Sequence, residues 1–147
     1  MAQLTNRLIA VLLGGALAWA SIAIVGIGAT VAIPAEIIKP VAQVSGLLAL
    51  TLADFVTIAI PLAAAFLVLA FASKLVVKKP DNTFYLLLLA PLVLYHLDFL
   101  LQDLLQSQSQ LLYVAVTTLS RCILLAVCCY LLMRQTKAAN CRKLHRV

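Results

Sequence analysis

The side chains able to do chemistry in this chain are few, and they stand inside apolar runs. The stretch LAPLVLYHLDFLLQDLL, residues 89–105, carries His96, Asp98 and Asp103, while Asp54 and Arg121 sit alone among aliphatic neighbours elsewhere. Ionisable groups in such surroundings are the parts of a proton or ion path. The same groups also make an ion pair that fixes which helices meet. Other chemistries lack their parts. No H-E-x-x-H, G-x-S-x-G, zinc spacing or phosphate loop is present. Haem would need two axial His at membrane depth, but the second, His145, is in the tail. The Cys residues are Cys122, the adjacent pair Cys128 and Cys129, and Cys141, with no C-x-x-C. They read as buried thiols, which behave as small hydrophobes. No enzyme, metal or cofactor is expected.

Elements long and oily enough to hold these groups follow from composition. Hydrophobic residues make up 65% of 147 positions and the mean hydropathy is +1.11, against about 45–50% apolar in ordinary soluble domains. Four apolar runs, residues 8–33, 47–72, 84–105 and 111–133, each match the roughly 20 residues that cross a bilayer. The expected fold is an all-α integral membrane protein: an up-down four-helix bundle over residues 1–133 with a basic tail, 134–147.

The net charge of +6 is grouped beyond the ends of these runs, which points to topology and away from nucleic acid. Lys74, Lys78 and Lys79 mark the second connection, and Arg134, Lys137, Arg142, Lys143 and Arg146 the tail. By the positive-inside rule both termini and the second connection are cytoplasmic, and "PAEIIKP" and "QSQSQ" lie outside. The same tail is expected to rest on anionic lipid or dock a partner. A second reading takes residues 1–20 as a signal peptide ending in a small-x-small site. The apolar run continues to Ile33 without a polar segment, which favours the first.

Spacing then assigns faces. Gly14, Ala18, Ser21, Gly28 and Ala32 form a small-residue seam on the first helix, suited to close backbone approach within the bundle or between copies. Trp19 is expected to pack against a neighbour. In the second helix Thr51, Asp54, Thr57 and Pro61 share a face, and Pro61 leaves the Thr57 carbonyl without its usual donor, so a kink is expected there. In the third helix Pro91, a second expected kink, shares a face with Tyr95, Asp98 and Gln102, with His96 about 100° from Tyr95.

Arg121 falls near mid-membrane, where an Arg costs roughly 2.5–3.5 kcal/mol on insertion scales. Asp98 is close to it in depth and on the neighbouring helix, so Asp98 is the expected counter-charge. His96 is expected to join this network, with Asp54 reaching in from the outer side. The functional expectation is a non-enzymatic subunit or regulator of a larger membrane assembly, in a bacterial inner membrane, partnered by another membrane protein or by its own copies. Two alternatives fit the composition: an oligomeric proton-coupled transporter or ion conductor using Asp98, His96 and Arg121, and an immunity protein against a membrane-active toxin.

Overall fold

The computed structural model describes residues 2–77, 80–106 and 111–144, with backbone alone for residues 2, 106 and 137–144. No strand occurs among the described residues. The helices are α1 (Ala2–Thr30), α2 (Ala35–Val44), α3 (Gly46–Asp54), α4 (Ile60–Val76), α5 (Asn82–Gln106) and α6 (Leu111–Leu144). A π-turn, Phe55–Ala59, joins α3 to α4 in one continuous rod. Four segments are long and apolar enough to cross a membrane: Gln3–Thr30, Gly46–Val76, Asn82–Leu105 and Leu111–Thr136. These are the four runs expected from hydropathy, the last three extended at one end or both and the first starting and stopping earlier.

Local sequence sets the helix ends. The Asp81 carboxylate accepts the Phe84 N–H at 2.8 Å and opens α5, satisfying one of the donors left free at a helix start. Ser45 does the same for α3, accepting weakly from Leu48 at 3.4 Å. The first connection holds more order than a simple loop. Its Pro34 carbonyl accepts from Ile37 and Ile38 at 3.0 and 3.3 Å, and α2 follows, with Pro40 inside it and no fully buried residue. On α2, Ile37, Ile38, Val41 and Val44 fall on one side, and Glu36, Lys39 and Gln43 on the other, an amphipathic pattern.

The π-turn has an identifiable origin. Pro61 cannot donate to the Thr57 carbonyl, and just ahead of it the Ile60 N–H reaches back to Phe55, one residue further than in an α-helix. The expected irregularity at Pro61 therefore takes the form of a wide turn. Pro91 is different: α5 stays α-helical through it, and its ring lies against Gly14 of α1.

The bundle places α1 and α6 at opposite corners, each flanked by α5 and by the α3–α4 rod. A Cβ on Gly14 would collide with the Leu88 carbonyl of α5, and one on Gly28 would stand 2.5 Å from the Thr57 carbonyl in the π-turn. From Gly14 to Gly28 the small-residue seam thus packs within the chain, whereas Ala32 lies beyond the end of α1 and is exposed. The seam lets α1 lean on α5 at its middle and on the π-turn near its end. Ala18 and Ser21 are buried between these two contacts. With that stripe turned inward, Trp19 is 78% exposed, so the expected contact with a neighbour is not made.

One half of the bundle is a conventional apolar core. Leu62, Phe66, Leu88, Leu92 and Leu125 are fully or almost fully buried there, with Tyr85 and Cys129 among them. The other half, towards the α5–α6 connection, carries most of the buried polar groups, Asp54, His96, Thr117, Thr118 and Arg121 among them.

Candidate functional site

Asp54 is the last residue of α3 and Arg121 lies a third of the way along α6; they are 4% and 8% exposed. The Arg121 guanidinium donates from Nε to Asp54 Oδ2 at 3.0 Å and from Nη2 to Asp54 Oδ1. Two parallel charge-assisted bonds make this a bidentate pair, the geometry in which Arg binds carboxylate best. Thr117 and Thr118 are buried one turn away. The Thr117 hydroxyl donates back to the Tyr113 and Val114 carbonyls of its own helix, at 3.0 and 3.2 Å. The pair is therefore set on two helices whose nearby hydroxyl is already satisfied.

The expected partner for Arg121 was Asp98, and here the structure differs. Asp98 is exposed and accepts a hydrogen bond from Gln102 at 2.8 Å, one turn further along the same helix. Depth, which favoured Asp98 over an Asp54 placed near the outer side, does not separate the two carboxylates once the segment ends are known. Counting at about 1.5 Å per residue from the ends Gly46, Leu105 and Leu111, all three charges lie about 10–15 Å in. Helix rotation decides. The buried stripe of α5 is Tyr85, Leu88, Leu92 and His96, and two residues on from His96 is a turn of about 200°. If His96 faces in, Asp98 faces out.

His96 is 2% exposed, and its Nε2 has no hydrogen-bond partner. Its ring meets Tyr95 edge to face, with centroids 5.5 Å apart. A cavity of about 230 Å³ lies beside it, lined by Ile22, Val25, Gly26, Tyr95, His96, Phe99 and Arg121. Of the expected polar network, the structure brings Asp54, Arg121, His96 and Tyr95 to one level and leaves Asp98 outside. The cavity residues on α1 and Phe99 carry no polar signal, and the sequence reading missed them.

Among the described residues no group of His, Cys, Asp and Glu gathers to hold a metal ion. Cys129 is buried, and Cys122 and Cys128 are half-buried free thiols. Arg134 is exposed near the end of the apolar segment Leu111–Thr136 of α6; the side chains of Lys137, Arg142, Lys143 and Arg146, like His145, Lys78, Lys79 and residues 107–110, lie outside the described residues. A pair that holds two helices, a buried imidazole with a free nitrogen, and a carboxylate on the outer face offer binding and packing chemistry. No nucleophile is set against a base among them. Comparison of the chain with protein-family models, curated proteins and solved structures finds no match.

Proposed function

We propose that this chain is a non-enzymatic subunit or regulator of a larger membrane assembly, inserted through four spans with both termini cytoplasmic. The observation that carries the reading is the outward position of Asp98 with Gln102. Asp98 lies about 10 Å inside the end of its span at about 1.5 Å per residue, and its neighbours Leu94, Leu97 and Leu101 are exposed as well. A carboxylate facing lipid at that depth is unfavourable, by roughly 2.5–3.5 kcal/mol at a bilayer centre and less towards its surface. A second membrane helix presenting a hydrogen-bond donor or a cation to Asp98 offsets that cost. The partner is then another membrane protein or a second copy of this chain, and the basic tail rests on anionic lipid of a bacterial inner membrane.

The bundle's own charges support a structural role. Arg121 is neutralised by Asp54 inside the chain, and a charge held in a bidentate pair is not available to carry ions. The test compares assembly with flux. In gentle detergent from its native membrane, the wild-type chain is expected in a particle heavier than its 15.8 kDa monomer, and Asp98→Leu to release it as a stable monomer. Purified wild type in liposomes is expected to pass no protons above empty vesicles under a pH gradient. Proton flux that Asp98→Asn abolishes would establish the transport reading instead.

A further inference from the structure

The cavity beside His96 follows from how α1 is held. Gly14 ties the middle of α1 to Leu88 of α5, and Gly28 ties the late part to Thr57 in the π-turn. Between these contacts Ile22, Val25 and Gly26 of α1 face Tyr95, His96 and Phe99 of α5 across an unfilled space. The space left is about 230 Å³. An engineered apolar cavity of about 150 Å³ holds benzene, so this one has room for a substituted ring. Ile22 and Phe99, which line it, are 50% and 48% exposed at the bundle surface. The cavity therefore opens sideways, between two spans.

Its chemistry is selective. Ile22, Val25 and Phe99 make the walls apolar, and Tyr95 and Phe99, one turn apart on α5, present two aromatic rings. At the inner end stand Arg121, whose charge Asp54 already balances, and His96, 98% buried with Nε2 unpartnered. A buried polar nitrogen left without a partner is costly, and a ligand atom that bonds it recovers that cost. An anion is poorly suited, since the guanidinium is already paired.

We propose that this cavity binds an uncharged, flat ring bearing a carbonyl and travelling in the lipid phase, the chemistry of a quinone head group. The ring stacks against Tyr95 and Phe99, and its carbonyl accepts from His96 Nε2–H, with the remaining Arg121 N–H groups alongside. The hydrocarbon tail leaves between Ile22 and Phe99 into the bilayer. Asp98 is not among the lining residues.

Gly26 supplies the test. It lines the cavity, yet a Cβ there meets nothing within 4 Å, so Gly26→Leu fills the space without disturbing the backbone. Trp19, the chain's single tryptophan, is exposed on α1 one turn before Ile22 and reports on the mouth by fluorescence. Purified protein in nanodiscs is titrated with a decyl-substituted benzoquinone. Wild type is expected to show saturable quenching above the linear background of quinone dissolved in lipid. Gly26→Leu is expected to lose the saturable part, and His96→Leu to weaken it at least tenfold, with both variants eluting and melting as folded protein. Should Gly26→Leu fail to fold, His96→Leu carries the comparison. Linear, non-saturating quenching in wild type, or a saturable component unchanged in the folded variants, would overturn the proposal.

Discussion

Arg121 of α6 is held by Asp54 of the α3–α4 rod through two bonds, Nε to Oδ2 at 3.0 Å and Nη2 to Oδ1. Both side chains are almost wholly buried. The contact spans 67 positions of sequence and links the second and fourth spans at the end of the bundle that has the least apolar core.

Breaking that pair from one side is expected to be severe. Arg121→Leu leaves a buried carboxylate alone, at a cost of about 3–5 kcal/mol. Adding Asp54→Leu is expected to recover most of the loss, since a pair of apolar residues is often neutral in such places. Asp98→Leu in the isolated chain is expected to change stability little, because the Asp98 carboxylate is exposed and bonds Gln102 of its own helix. A thermal-stability cycle in detergent measures all three. Strong coupling of Arg121 to Asp98 and none to Asp54 would reject the observed pairing.

The glycines of α1 are expected to divide by position. Gly14→Val and Gly28→Val press on the Leu88 and Thr57 carbonyls, which cannot move without shifting a helix, so each is expected to cost about 1–3 kcal/mol or more. Gly15→Ala, with nothing within 4 Å, is expected to be neutral or slightly stabilising. Melting temperatures of the three variants decide it; equal sensitivity at Gly15 would contradict the packing of α1.

Tyr85 gives an opposite sign. Its ring is fully buried edge to face against Phe84, at 5.7 Å between centroids, and its hydroxyl has no hydrogen-bond partner. Tyr85→Phe keeps the ring and removes the unsatisfied oxygen, so stability is expected to hold or rise, by about 1 kcal/mol. A clear loss in the melting temperature would show that the hydroxyl is bonded.

The proposed topology rests on Lys and Arg placement alone. In a variant stripped of native Cys, cysteine placed at Glu36 or Ser107 is expected to react with an impermeant reagent from outside, and at Lys74 from the cytoplasmic side. Labelling at Ser107 only from inside would invert the model. Intact mass lacking residues 1–20 would identify the signal-peptide form.

Hydropathy made the four spans legible, because a run of about 20 apolar residues has few other folds available. Glycine and alanine spacing made the seam on α1 legible for the same kind of reason: close backbone contact tolerates little else. The polar half was harder to read. His96 and Asp98 stand about 200° apart on α5, so one of them must face away. The expectation grouped Tyr95, Asp98 and Gln102 as the inner face. The stripe Tyr85, Leu88, Leu92, His96 had the same helical spacing and took the core. Apolar burial over about three turns outweighed one charge pair, and Asp54 supplied the carboxylate instead. The π-turn and α2 were less legible still, since their prolines announce an irregularity without specifying its form.

The outward Asp98 is the centre of the functional account, and crosslinking from its own face tests it most directly. A photoreactive residue at Leu94 or Leu101, both exposed beside Asp98, is expected to capture a discrete membrane-protein adduct in native membranes. That adduct is expected to vanish with Asp98→Leu, and the same probe at Leu75, 89% exposed at the far end of α4, is expected to give none. Adducts to lipid alone at Leu94 and Leu101, or a protein adduct indifferent to Asp98, would contradict the account.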